Sequence, residues 1–169
     1  MNKAKIKPTI FVHKWVDYTK KYGLGYILSN GVTGALFNDR SKAFTQDSHR
    51  FSIIEQESHL QISSQFSVTD KDLTDDFKRK IKLVNQFGKY LLDKDDCKQS
   101  KLKLEYDEKP YSEVHVKKWA RRKHGTVFLL SNRVVHTIFK DGSELVIDQA
   151  QHVMLTVDQN GVKLDFTQK

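Results

Sequence analysis

Seven histidines, one cysteine and a cluster of cations are the residues with chemistry to offer. His13, His49, His59, His115, His124, His136 and His152 are scattered, and none stands in an H-E-x-x-H arrangement. Cys97 is the lone cysteine, so neither a disulfide framework nor a cysteine-based zinc site is expected. The sequence holds no G-x-S-x-G nucleophile elbow and no Walker A loop. Asp165-Phe166-Thr167 lacks the glycine of a kinase metal-binding triplet, and no His-Arg-Asp catalytic loop occurs. These residues predict a chain with no catalytic centre, no metal and no cofactor.

The cations point to binding instead. Lys and Arg total 29 against 21 Asp and Glu, a net charge of +8. Such a balance suits an acidic partner: nucleic acid, anionic lipid, or a phosphorylated or acidic peptide. The densest run is Lys117, Lys118, Arg121, Arg122 and Lys123, set around Trp119. It reads either as a solvated edge strand, whose lysines discourage strand addition, or as an anion-binding strip facing a groove. Single-stranded nucleic acid could stack on exposed aromatics over a positive groove, but no RNP-type or OB-type signature accompanies them. No apolar run is long enough to span a bilayer, and Met1–Lys7 is basic without an apolar stretch behind it. With one cysteine, this predicts the cytoplasm or nucleus and no membrane partner.

The elements that must position these residues can be read from periodicity. Residues 9–18 are β-branched and aromatic, and Asn30-Gly31 signals a hairpin between Tyr26–Leu28 and Thr33–Phe37. Ala43–Thr45, Phe51–Glu55 and Leu60–Ser63 continue the meander. The period then changes: Leu73, Phe77, Ile81, Val84, Phe87 and Leu91 recur every three or four residues, predicting a helix over 72–92. Residues 93–111 read as a polar linker. Strands return at Val114–Trp119, Thr126–Leu130, Val134–Phe139, Glu144–Ile147, His152–Val157 and Val162–Phe166. The fold class is α+β, mainly β.

The two β regions repeat each other. Leu28-Ser29-Asn30 lines up with Leu130-Ser131-Asn132, and Leu36-Phe37-Asn38-Asp39 with Ile138-Phe139-Lys140-Asp141 at the same offset. Trp15 and Trp119 correspond two residues out of that register. A unit of about 60 residues buries little surface alone, so two copies are expected to pack together with a ligand groove between them.

Lys14-Trp15-Val16-Asp17-Tyr18, Lys21-Tyr22-Gly23-Leu24-Gly25-Tyr26-Ile27-Leu28 and Leu36-Phe37-Asn38-Asp39 together resemble the first polo box of a polo-like kinase. Lys80–Leu92 resembles the helix closing that box, and Trp119, Arg121 and Leu129-Leu130-Ser131-Asn132 resemble the second box. The resemblance implies two six-stranded antiparallel sheets, the first with a closing helix, packed as a sandwich with a cleft between. Box 1 would span 9–92, the linker 93–111, and box 2 112–167 without a C-terminal helix. It implies a non-catalytic targeting and regulatory domain of a mitotic Ser/Thr kinase that binds phosphopeptides in the cleft. Such a domain can restrain its own kinase domain and directs the enzyme to centrosomes or basal bodies, kinetochores and the midbody.

By the same resemblance, Trp15 packs on the peptide, and is expected to be exposed in the cleft, while Asp17 contacts the peptide main chain. Val16, Tyr18, Tyr22, Leu83, Phe87 and Tyr90 form an apolar pocket beside the groove. The family's phosphate-gripping His-x-Lys pair falls on Gly142 and Glu144. Glycine has no side-chain donor and glutamate would repel phosphate. Two peptide-lining leucines fall on Asp95 and Asp96. Lys140, Arg121, Arg122 and Lys123 are the candidate substitute cations. The alternative is that the cleft takes an unphosphorylated or differently placed segment.

Overall fold

The structure, a computed structural model, describes residues 7–57, 60–94, 97–104 and 109–167. The β-branched and aromatic stretches form an antiparallel meander, β1 (Val12–Tyr18), β2 (Gly23–Leu28), β3 (Thr33–Phe37), β4 (Lys42–Thr45), β5 (Arg50–Glu57) and β6 (Leu60–Ser67). The helix α1 (Asp75–Asp93) follows, then β7 (Lys98–Gln99). A second meander runs β8 (Val116–Arg122), β9 (Gly125–Leu130), β10 (Val135–Phe139), β11 (Glu144–Asp148), β12 (Val153–Val157) and β13 (Lys163–Thr167).

The first sheet is ordered β6-β5-β4-β3-β2-β1-β7 and the second β13-β12-β11-β10-β9-β8. The first sheet therefore has seven strands, not the six expected. The extra strand, β7, comes from the stretch read as linker and pairs antiparallel with β1 through Lys14↔Gln99 and Trp15↔Lys98. Two residues carry no detectable period, which is why the sequence pattern does not show it. The helix starts three residues later than its apolar period suggests, because Thr74 caps it by accepting a bond from the Phe77 amide, with Asp75 and Asp76 in the first turn.

The repeat is geometric as well as sequential. The starts of β2, β3 and β4 match those of β9, β10 and β11 at one offset, whereas β5 and β6 match β12 and β13 one residue further apart and β1 matches β8 two residues further apart. The four-residue connection 19–22 shortens to Lys123-His124 in the second unit. That deletion accounts for the register slip between Trp15 and Trp119, each the fourth residue of its strand. Asn30 Oδ1 accepts from the Val32 amide and Asn132 Oδ1 from the Val134 amide. Asp39 and Asp141 likewise each bind the Ser two residues on.

Two apolar layers result. Ala35, Phe37, Phe51, Ile53, Ile81, Val84 and Phe87 join the first sheet to α1. Trp15, Leu24, Tyr26, Leu28 and Phe44 meet Val116, Phe128, Leu130, Val134 and Val146 between the sheets. The first sheet is thus covered on both faces, and every residue of β2 is buried. The outer face of the second sheet carries Ile147 and Met154, both exposed.

Candidate functional site

β1 and β8 sit at corresponding places in the two sheets, and each carries a bulge, between Val12 and Lys14 and between Val116 and Lys118. A bulge turns one backbone amide out of its own ladder. Each of these amides is accepted by the opposite sheet: Val12 N–H donates to His136 Nδ1 at 3.2 Å, and Val116 N–H to the Tyr26 hydroxyl at 3.1 Å. His136 is fully buried. Since its Nδ1 accepts, the ring proton lies on Nε2, which donates to Glu144 Oε1 at 2.8 Å. The two sheets are thereby fixed to each other by polar bonds inside an apolar interface, where an unmade bond would be costly.

Beside this interface lies a cavity of about 360 Å³, whose lining includes Trp15, Lys98, Arg121, Arg122, Phe139 and Lys140. Three elements supply the cations: β7 gives Lys98, the end of β8 gives Arg121 and Arg122, and the β10–β11 turn gives Lys140. Among the described residues, no carboxylate lines it. Arg121 Nη1 meets Asp17 Oδ2 at 2.9 Å across the two sheets. Burial raises the Asp17 carboxyl, but hydrogen bonds from Thr19 and the Arg121 charge outweigh it and hold the group below its ordinary range.

A second cavity of about 350 Å³ opens between β1 and α1, lined by Val16, Tyr18, Tyr22, Leu83, Gln86, Phe87 and Tyr90. The six apolar residues singled out in the sequence are thus brought to one pocket. Phe87 does two things there: it is buried in the helix–sheet core and also forms part of the pocket wall.

A family model for the POLO box duplicated region matches residues 20–81. A probable serine/threonine-protein kinase, CCRP1 of Zea mays, is 37% identical over 143 residues, which cover 82% of this chain and 22% of that protein. Residues 20–81 are thus a polo box. Serine/threonine-protein kinase plk-1 of Caenorhabditis elegans is 27% identical over 165 residues, covering 94% of this chain and 24% of its own length. The chain thus spans about a quarter of the length of the curated kinases it matches, and the matched part is a polo-box module, which binds and does not catalyse. The crystal structure of the budding-yeast Cdc5 polo-box domain in complex with an Spc72 phosphopeptide shares the fold at TM-score 0.78 and 23% identity, over 98% of this chain and 61% of that one. The Cdc5 polo-box domain with the Dbf4 polo-interacting region gives TM-score 0.73, 24% identity and 99% and 63% coverage.

Trp15 is 4% exposed, not open in the cleft. Its ring packs edge-on against Phe128 of the second box, centroids 5.4 Å apart, and only its rim reaches the cationic cavity. Glu144 does not confront the groove. It is buried, with Oε1 accepting from Ser100 Oγ at 2.7 Å and Oε2 from the Lys101 amide at 2.6 Å. Gly142 takes a positive φ of 85° in the β10–β11 turn, and Lys101 Nζ donates to its carbonyl at 2.9 Å. Lys123 lies in the β8–β9 turn and does not line the cavity. Asp95 and Asp96 lie outside the described residues.

Lys98, Ser100, Lys101 and His136 were not legible as site residues. The first three sit in a Lys/Asp-rich stretch with no period to place them. His136 had a signal: it alternates with Val134 and Ile138, which puts it on the inward face of β10.

Buried Glu144 and half-buried His13 and His115 set a pH dependence. Burial raises the Glu144 carboxyl, but bonds from His136, Ser100 and the Lys101 amide more than offset this, and its pKa lies below the ordinary value. Burial, helped by nearby lysines, lowers the pKa of His13 and His115 below 6.5, although Glu113 partly opposes this at His115. In each case the folded chain binds protons less readily than the unfolded chain, so stability is complete above the unfolded pKa and falls with pH. We expect stability to decline first as pH drops through 6.5 and again below the ordinary glutamate range near 4.5. Urea unfolding at pH 8, 6, 5 and 4 (about one to two units per step) checks this, and a flat profile between pH 8 and 5 contradicts the histidine part.

Proposed function

We propose that this chain is the non-catalytic targeting and regulatory part of a polo-like mitotic Ser/Thr kinase and that its inter-box cleft binds phosphorylated peptide segments of docking proteins. The observation that carries this reading is the cavity at the box interface, where Lys98, Arg121, Arg122 and Lys140 converge beside Trp15 with no carboxylate among the described residues of its lining. A phosphoryl group near neutral pH carries close to two negative charges and several strong acceptors, which such a set complements. The Cdc5 polo-box domain, similar in fold, is complexed with an Spc72 phosphopeptide, which supports the reading. The apolar pocket of Val16, Tyr22, Phe87 and Tyr90 would take an apolar side chain of the same or another partner segment. A kinase carrying the domain would be brought to mitotic structures such as centrosomes or basal bodies, kinetochores or the midbody, and the kinase domain of the same protein is a further candidate partner.

The test is an equilibrium titration with phosphorylated and unphosphorylated versions of one docking-protein peptide at several salt concentrations. Phosphorylation is expected to tighten binding by about tenfold or more, with the advantage shrinking as salt rises. Equal affinities would sink the reading in favour of phosphate-independent docking, and strong sequence-tolerant binding to oligonucleotides would point to nucleic acid.

A further inference from the structure

The cleft's anion-holding residues follow from which of its cations are already neutralised. Arg121 is paired with Asp17. Lys98, Arg122 and Lys140 are exposed, and none of them pairs with a carboxylate among the described residues. Three like charges around one cavity repel each other unless an anion enters, and Gln99 and Thr126 in the same lining add hydrogen-bond donors. Resting on the reading of the cleft as a phosphopeptide site, we propose that Lys98, Arg122 and Lys140 hold the phosphoryl group, and that Glu144 is a positioning residue that presents Lys98 to it.

Alone, β7 is weak. Its two residues make a short ladder with β1, extended by the Ser100 amide donating to the His13 carbonyl at 2.9 Å. Such a segment does not hold its own place. What holds it is the second box. Ser100 Oγ and the Lys101 amide both end on the Glu144 carboxylate, which His136 also binds from beneath. Lys101 Nζ then spans two turns, donating to the Gly142 and Gln159 carbonyls at 2.9 Å each. Lys98 lies two residues before this latch. The glutamate at the position where the family carries a phosphate-gripping lysine therefore does not repel the ligand. It is turned inward, and it draws in from the linker a lysine that supplies the charge instead.

The probe is a short peptide containing Ser-pThr with neutral flanks, and its unphosphorylated twin, titrated against the full 169-residue chain. Lys98→Ala, Arg122→Ala and Lys140→Ala are each expected to weaken the phosphopeptide by about tenfold and to leave the twin unchanged. Lys78→Ala, on α1 away from the cleft, should change neither. Glu144→Ala should weaken the phosphopeptide as much as Lys98→Ala does, and should add nothing in the Lys98→Ala background. A merely structural role would not produce that coupling. If circular dichroism shows Glu144→Ala unfolded, Ser100→Ala loosens the same latch and takes its place in the cycle. Wild-type preference for the phosphopeptide with all three cation variants unaffected overturns the assignment while the cleft reading stands. Equal wild-type affinity for the two peptides overturns both. Additive losses in the double variant remove Glu144 from the role of positioning Lys98.

Discussion

Trp15→Ala is expected to cost the fold about 3–5 kcal/mol, a large share of the stability of a domain this size. The indole is 4% exposed and sits where the two sheets meet. Its ring packs against Phe128, which is itself fully buried and stacked on Trp119 at 6.3 Å. Removing it opens a cavity at the contact that holds the two boxes together, and neither sheet can collapse into the space without shifting the bulge bonds of Val12 and Val116. Trp15→Phe keeps a ring against Phe128 and should retain most of the stability. Urea unfolding followed by the remaining Trp119 fluorescence measures both variants. A loss under about 1 kcal/mol for the alanine variant would mean that the ring is not bearing on the interface as the geometry requires. The consequence for function is practical: a Trp15→Ala chain that fails to reach its target in cells reports on folding, and only variants at Lys98, Arg122 or Lys140 report on the cleft.

How much was readable follows from which signals are local. The meander, the helix and the repeat were legible because alternation, a period of three to four, and turn pairs such as Asn30-Gly31 are short-range signals. The apolar pocket was legible only through the family resemblance, which carried its six residues over together; nothing in local periodicity joins β1, the β1–β2 connection and α1 into one pocket. Trp15 was misjudged because the sequence shows an aromatic on a strand but not which face the opposing sheet covers. Glu144 was misjudged for a related reason. Aligned to a clamp it looks like a repulsive charge, and only the placement of Ser100 and Lys101 shows that its carboxylate is consumed inside. Lys98 was invisible because its position depends on that long-range latch, and nothing within a few residues of it encodes a strand.

Gly25→Val should likewise be strongly destabilising, by about 2–3 kcal/mol, although valine is the better strand former. A Cβ at residue 25 would lie 2.5 Å from Phe87 Cγ and 2.6 Å from its Cδ1, far inside contact distance. Phe87 is held in the core by Leu83 and Val84 on the same helix and cannot swing away without α1 lifting from the sheet. The glycine in the Tyr22-Gly23-Leu24-Gly25-Tyr26 run is therefore the floor on which the helix ring rests, and the pocket of Val16, Tyr22 and Tyr90 takes its depth from that close approach. Phe87→Ala alone should cost about 3–5 kcal/mol by leaving a cavity. In the double variant the valine fills part of the space the ring vacates, so its loss should be smaller than the sum by about 1 kcal/mol or more. Chemical unfolding of the two single variants and the double variant gives the coupling directly. Simple additivity would show that the ring and the glycine do not share one space, and the pocket would then have to owe its shape to Leu83 and Tyr22 alone.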